Sequence, residues 1–178
     1  KITFSKTPPA PGMALNLIKN SVEGGKSPEA AYKDLRLKDR YPDEFYLNLA
    51  DIFFQKKEPA LARRVLSNLI ENPTPRPAAY RKWAYLLAKH SDWNGARETL
   101  EAIASHYPDD QTISLDLAWI NERLKAKPVR KKHLTEAINS FDPNQQDTQN
   151  LAELAIVELR KLTEQPALPL DLSNIISS

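Results

Sequence analysis

The feature that most constrains the fold of this chain is an internal repeat of 34 residues. Shifting residues 45–74 by this period places them on residues 79–108, and chemically similar side chains then coincide. The coinciding pairs are Tyr46 with Tyr80, Leu49 with Trp83, Ala50 with Ala84, Phe53 with Leu87, Ala62 with Ala96, Leu66 with Leu100 and Leu69 with Ile103. A fixed period of this length is typical of stacked units, each of which buries the apolar face of its neighbour. A helical bundle with an accidental echo is the alternative, and seven similar pairs at one shift argue against it.

Apolar residues recur with the helical period in every segment between the two ends, and no alternating strand pattern of useful length occurs. The chain has 14 prolines and only 4 glycines, and most of the prolines lie at the starts of helices or at joints between them. These signals predict an all-α fold of eight or nine helices, joined by short loops into pairs. The clearest segments are 45–54, 59–72, 77–89, 94–106, 112–125, 129–141 and 147–163.

The repeated pattern resembles the tetratricopeptide repeat family. The first helix of each copy carries an aromatic residue, Leu, a small residue and an aromatic residue, and the second carries Ala and a bulky apolar residue. The best copies are residues 43–76 and 77–110, and a copy at 111–144 is degenerate. Departures from the family pattern occur at Leu69 and Thr74, at Trp83, Leu87 and Ile103, and at Ser114, Asn121, Arg130 and Asp142. The resemblance implies a right-handed superhelix of antiparallel helix pairs, which is an α-solenoid.

Three segments are expected along the chain. Residues 1–11 contain three prolines and read as an extended arm. Residues 12–164 form the helical repeat domain, and residues 165–178 form a linker or docking tail in which two prolines prevent a continuous helix. Because the chain begins with Lys1 and no apolar segment follows this basic start, we expect a mature form or a piece of a longer protein without a signal peptide.

A concave groove is the binding surface that the family resemblance implies, since the first helix of each pair lines it. The implied groove residues are Leu47, Asp51, Phe54, Arg81, Tyr85, Lys89, Leu115, Trp119 and Arg123. Aromatic rings beside cationic groups suit an extended or helical peptide with apolar anchors and some acidic character. The alternative is that Leu47, Leu115 and Trp119 pack against the superhelix's own termini, so that the proline-rich arm or the tail at 166–178 fills the groove.

Charge and composition argue against several other classes of protein. The 25 Lys and Arg residues nearly balance 23 Asp and Glu, so a nucleic-acid partner is not expected. One dense basic stretch, Lys125, Lys127, Arg130, Lys131, Lys132 and His133, is interpreted as a solvated turn balanced by acids elsewhere. The absence of Cys excludes disulfides and thiolate chemistry. A mean hydropathy of −0.54 and the lack of a long apolar run predict no membrane insertion.

No sequence pattern of catalytic residues is convincing in this chain. His90, Ser91 and Asp92 have the residue types of a hydrolase triad, but consecutive residues cannot converge on one another as a triad requires. They are interpreted as a turn between two helices, with Asp92 or Asn94 as the N-cap. No zinc-protease motif and no phosphate-binding loop occur in the sequence. The sequence therefore predicts a protein that is not an enzyme and uses no metal or cofactor.

The predicted function is a protein–protein interaction module that binds a peptide or a partner protein in the groove, as a scaffold or adaptor. The alternative is a structural spacer or assembly segment of a larger bacterial cell-envelope or secretion protein, with a lean towards the periplasm. Association of two copies through an exposed stripe on the last helix is a further expectation. That stripe consists of Leu151, Leu154, Ala155 and Leu159.

Overall fold

The computed structural model of the chain describes residues 11–36, 41–70 and 76–163. Within these ranges the backbone forms helices and turns, and no β-strand occurs. Nine α-helices lie in the described ranges: α1 (Pro11–Glu23), α2 (Pro28–Arg36), α3 (Asp43–Gln55), α4 (Pro59–Leu66), α5 (Pro77–Lys89), α6 (Trp93–Ala104), α7 (Gln111–Arg123), α8 (Lys127–Asn139) and α9 (Gln146–Thr163). The all-α fold built from helix pairs is confirmed. The predicted arm and tail lie outside the described residues, except that Pro11 begins α1.

The helices belong to two compact units, one within residues 1–74 and the other within residues 75–178. In the first unit, α3 packs against α4, and α1 packs against both α2 and α3. In the second unit, each of the helices α5 to α9 packs on the next one along the chain. The first helices of successive pairs also touch there, since α7 contacts both α5 and α9. Side chains on α5 and α7 are thereby brought within reach of one another.

The predicted helix starts follow from their capping residues. The Ser27 hydroxyl accepts a hydrogen bond from the backbone N–H of Ala30 at 3.2 Å, immediately before Pro28 opens α2. Asp92 is the N-cap of α6, and its carboxylate accepts from the N–H of Gly95 at 3.2 Å. These side chains bind backbone donors that have no partner within the first turn of a helix. Of the two N-cap candidates, Asp92 and Asn94, the structure assigns Asp92, and Ser27 caps α2 in the same way.

The turn inside each helix pair repeats with the same period as the sequence. Lys57, Ser91 and Lys125 all have positive φ, at 62°, 65° and 57°, and they lie 34 residues apart. The residue after each of them donates its backbone N–H to a carbonyl five residues earlier, at 2.9 Å in all three turns. This is the left-handed helix ending that glycine usually adopts, formed here by residues with side chains. The copy that is degenerate in sequence thus keeps the turn geometry of the other two.

The second helix of the first copy is shorter than predicted. The α-helix ends at Leu66 and is followed by a 3-10 turn over Ser67–Leu69 instead of continuing to Asn72. The buried amide of Asn68 donates to the carbonyl of Val65 at 2.6 Å and to the hydroxyl of Tyr32 at 2.7 Å. An Asn side chain that binds nearby backbone competes with the regular helix, which accounts for the early end.

The repeat positions form the core in all three copies. Leu49, Ala50, Ala62, Leu66, Ala84, Ala96, Leu100 and Ile103 are completely or almost completely buried. In the third copy Ala118, Leu134 and Ala137 form a buried cluster with Ala155 of α9. Small residues at these positions allow the helix backbones to approach closely. The pattern of buried residues therefore follows the pattern that the 34-residue period predicts.

The predicted association stripe on α9 is wrong at two of its four positions. Ala155 is fully buried, and Leu159 packs against the cluster that contains it. Leu154, which belongs to the predicted stripe, is 51% exposed, whereas the other exposed apolar side chain, Val157 at 38%, lies outside the stripe. The stripe was misassigned because the sequence does not reveal that α9 packs on both α7 and α8.

Two residues that break the family pattern in the third copy have other structural roles. The Arg130 guanidinium binds Glu122 of α7 at 3.3 Å and Glu158 of α9 at 2.7 Å, and it therefore links three helices. Asp142 organises the turn before α9, because its carboxylate accepts from the backbone N–H of Asn144 at 2.9 Å and from Gln145 at 2.8 Å. These bonds hold the pKa of Asp142 below its ordinary value.

The basic stretch is in part balanced by acids, as the sequence analysis expected. Besides the two partners of Arg130, Lys132 lies 3.6 Å from Glu136, and the buried ring of His133 contacts the same carboxylate at 2.7 Å. The net positive charge of the basic stretch is therefore lower than its Lys and Arg residues alone indicate.

Candidate protein-interaction surface

The three groove residues predicted on α3 do not form a common exposed surface. Leu47 is only 8% exposed, so its assignment to a binding surface is corrected to the core. Asp51 is half-buried and accepts from Gln55 at 3.2 Å, and Phe54 is also half-buried. The apolar side chain of Leu47 therefore fills the interior and does not line a binding surface.

The six predicted residues of the second unit are divided between surface and core. Leu115 is half-buried and packs against the cluster around Ala118, which corrects its assignment to the groove. Lys89 and Arg123 are exposed, as are Tyr85 and Trp119 at 42% and 36%. Arg81 is half-buried beside them. The surface therefore keeps the residues that are aromatic or cationic and loses the aliphatic one.

A buried carboxylate on α7 organises the α5 side of this surface. Asp116 is 8% exposed, and its carboxylate accepts hydrogen bonds from Nε of Arg81 and from the hydroxyl of Tyr85. A longer contact of 3.4 Å joins Nη2 of Arg81 to the second oxygen of the carboxylate. Nη2 also lies 3.3 Å from the Tyr85 hydroxyl, which closes a three-residue network. Charge-assisted bonds of this type fix side-chain orientation as well as contributing energy.

Burial and the neighbouring charges shift two pKa values in this network. The hydrogen bond to Asp116 is the main cause that raises the pKa of Arg81, so its guanidinium stays charged. Burial is the main cause that raises the pKa of Tyr85, and the hydrogen bond to Asp116 adds to it. A phenol that donates to a carboxylate loses this bond on ionisation and then faces a like charge. Arg81 and Tyr85 therefore both keep their protons at neutral pH.

Aromatic rings continue the surface from this network towards the end of α7. Trp119 meets Tyr85 at a ring-centroid distance of 6.0 Å and Trp93 at 5.5 Å, with the ring planes at 67° and 70°. The guanidinium of Arg81 lies 6.0 Å from the Tyr85 ring, and that of Arg123 lies 5.9 Å from the Trp93 ring. We call Arg81, Tyr85, Trp119, Trp93 and Arg123 the aromatic ladder. Its edge-to-face rings and flanking cations are favourable pair geometries.

Helical spacing and helix packing together produce the ladder. Arg81 and Tyr85 are four residues apart on α5, and Trp119 and Arg123 are four residues apart on α7. The packing of α5 against α7 places the two pairs side by side. Trp93 follows the Asp92 cap as the first residue of α6 and closes the far end.

The sequence analysis missed Asp116 and Trp93. Asp116 follows the predicted groove position Leu115, which lies one repeat after Arg81, and a charge opposite to that of Arg81 at this place is the signal that points to it. Trp93 follows a helix cap, where an aromatic residue is commonly a packing residue, so the sequence carries no comparable signal. Both residues act through tertiary contacts with other helices.

We also searched the part of the chain that the structure describes for metal sites, membrane-spanning helices and clefts. No group of three or more His, Cys, Asp or Glu side chains there is arranged to hold a metal ion. No described helix is long and apolar enough to cross a membrane. The first unit contains an open cleft of about 310 Å³, lined by Ser27, Pro28, Glu29, Glu58, Ala60, Leu61 and Arg64. In this cleft the Glu29 carboxylate already binds Arg64 at 2.9 Å.

Comparison with known proteins supports the repeat assignment for part of the second unit. Residues 81–129 match the tetratricopeptide repeat family, which confirms the resemblance found in the sequence. The matched segment contains every residue of the aromatic ladder and also Asp116. No curated protein and no solved structure gives a significant match to the chain. Tetratricopeptide repeats generally mediate protein–protein interaction and are typically non-catalytic.

Proposed function

We propose that this chain, whose residues 81–129 are tetratricopeptide repeat sequence, binds a peptide or protein partner through the aromatic ladder and acts as a scaffold or adaptor without catalysis. The observation that carries the proposal is a pair of exposed rings, Tyr85 and Trp119, that contact each other while a buried carboxylate binds the hydroxyl of Tyr85. Rings fixed before binding lose little conformational entropy when a partner arrives. Exposed aromatic and Arg side chains are also the residue types enriched at interaction hot spots.

The exposure of the rings supports this assignment over a purely structural role. Tyr85 and Trp119 keep 42% and 36% of their surface in solvent although both rings contact other aromatic groups. If a ring only stabilised the core, complete burial would be more favourable, since each square ångström of apolar surface removed from water contributes roughly 25 cal/mol to stability. The ladder therefore offers apolar area that a partner is able to cover.

A random peptide library displayed on phage tests the proposal. The full chain is immobilised, and selection is repeated with the Trp119→Ala variant and with Leu154→Ala as the matched control. Leu154 is a large exposed apolar residue of the same unit but lies outside the ladder. We expect wild type and the control to enrich the same consensus and Trp119→Ala to lose it, with the helical circular dichroism of all three proteins unchanged.

A consensus that Trp119→Ala retains would place the binding surface elsewhere and would refute the ladder as the site. Selection that enriches no sequence on wild type would refute peptide binding itself. Intrinsic fluorescence of the Trp residues gives an independent check, because a peptide that covers Trp119 shifts its emission to shorter wavelength.

A further inference from the structure

The cation at one end of the ladder is already neutralised within the chain. The Arg81 side chain is 31% exposed, while the carboxylate that it binds is only 10% exposed. Because the pair is partly withdrawn from water, the charge of Arg81 is balanced at short range before any partner arrives. A peptide carboxylate at this position would have to compete with Asp116 for the same N–H donors. This end of the surface therefore favours an uncharged group.

The cation at the other end of the ladder is available. The exposed guanidinium of Arg123 lies over the Trp93 ring, and within the described residues no carboxylate pairs with it. The Trp93 ring offers this guanidinium no carboxylate, so two of its N–H donors are able to bind the carboxylate of a partner. Positive charge along the ladder is therefore concentrated at the α7 end.

We propose that the ladder binds a peptide in one direction, with an uncharged apolar side chain against Tyr85 and Trp119 and a carboxylate at Arg123. Asp116 is the positioning residue that sets this polarity by cancelling the charge of Arg81. The proposal rests on the function proposed above and adds the chemistry and orientation of the ligand. A cationic group is disfavoured at the α7 end, because it would be repelled by the guanidinium of Arg123.

A charge cycle at the neutralised end tests the role of Asp116. Asp116→Asn keeps the shape of the side chain and an acceptor for Arg81 but leaves one positive charge uncovered. The double variant Arg81→Gln with Asp116→Asn removes both charges, so the pair again has the zero net charge that it has in wild type. Phage selection is performed on these proteins, on Arg123→Gln, and on Lys131→Gln, which removes an exposed positive charge of the same unit outside the ladder.

The expected results differ among the four variants. Asp116→Asn selects peptides with an additional acidic residue beside the apolar anchor, whereas the double variant returns the wild-type consensus. Arg123→Gln loses the acidic position and keeps the apolar one, and Lys131→Gln changes neither. By isothermal titration calorimetry at low salt, Arg123→Gln binds the peptide selected on wild type with an affinity about two- to five-fold lower. This difference in affinity narrows at higher salt, because salt screens the interaction of Arg123 with the peptide carboxylate.

The outcomes separate this inference from the proposed function. A Trp119-dependent consensus that stays the same in Asp116→Asn, or that has acids at the Arg81 end in wild type, refutes the inference and leaves the interaction surface intact. A consensus that does not depend on Trp119 refutes both. If Asp116→Asn has lost helical circular dichroism, the comparison of wild type with Arg123→Gln decides, since Arg123 is exposed and makes no described hydrogen bond. An acidic position that Arg123→Gln retains then refutes the assigned polarity.

Discussion

Replacing Asp116 by Ala removes the buried acceptor of the ladder, and the structure allows the loss of stability to be worked out. Two side chains, Arg81 and Tyr85, donate to this carboxylate. A hydrogen bond to a charged group contributes roughly 1.5–3 kcal/mol, and removing one partner of a buried ion pair costs about 3–5 kcal/mol. Arg81 and Tyr85 keep 31% and 42% exposure, so water partly replaces the lost acceptor. We therefore expect Asp116→Ala to lower the free energy of unfolding by about 2–3 kcal/mol.

Urea denaturation followed by far-ultraviolet circular dichroism measures this change, with the free energy taken from linear extrapolation. Asp109→Ala is the matched control, since Asp109 is an exposed aspartate of the same unit, and we expect it to alter stability by less than about 0.5 kcal/mol. Asp116→Asn retains a hydrogen-bond acceptor, so we expect it to lower the free energy of unfolding by only about 1 kcal/mol. The same samples report the ladder directly, because release of Tyr85 changes the fluorescence of the adjoining Trp119. Equal stabilities of Asp116→Ala and Asp109→Ala would refute the assignment of Asp116 as a buried partner.

Three further changes test the fold and the titration of the ladder. Ser91→Gly relieves a left-handed backbone at φ 65° and should stabilise the chain by roughly 0.5–1 kcal/mol in urea melts, whereas Ser105→Gly, at φ −63°, should destabilise it. Asn121→Leu should raise the free energy of unfolding by about 1 kcal/mol, because the fully buried Oδ1 of Asn121 accepts no bond from described residues. A loss of stability would show that the bond from Nδ2 to the Leu117 carbonyl, 2.8 Å, outweighs the unpaired oxygen. Because the pKa of Tyr85 is raised above 10.0, its contribution to stability is complete below pH 10 and is lost as pH rises through the folded value. Absorbance at 295 nm should therefore show late phenol ionisation, and Tyr85→Phe should lower its amplitude by one phenol, while Tyr80, whose pKa burial also raises, still ionises late. An unchanged titration curve would contradict this.

Sequence reasoning recovered the helices because their signals are local. The helical period, Pro28 and Pro77 at the starts of helices, and the Asp92 cap depend on neighbours within one or two turns. The 34-residue repeat was equally visible, since it requires similar residues only at a fixed shift. Where a side chain competed with the backbone, as Asn68 does after α4, the boundary moved by several residues.

Burial within a helix was harder to predict, because it depends on which neighbour covers each face. Leu47 and Leu115 lie on helices, as predicted, but neither has its side chain on an exposed surface. Leu47 is buried, and Leu115 packs against the core cluster around Ala118. Ala155 was expected at an exposed stripe and is instead fully buried. An apolar residue gains by leaving water wherever packing permits, so an aliphatic side chain on a predicted surface is the least reliable of the candidates.

The sequence by itself determined the repeat, the helix class and the presence of aromatic and cationic residues on first helices, because these follow from composition and spacing. Only the tertiary structure decided which of those residues meet. The hydrogen bonds of Asp116 to Arg81 and Tyr85 join α7 to α5, and the contact of Trp93 with Trp119 joins α6 to α7. The charge that a partner encounters depends on these pairings rather than on the number of cations. The guanidinium of Arg81 is neutralised by a buried carboxylate, whereas that of Arg123 lies over the Trp93 ring and is not.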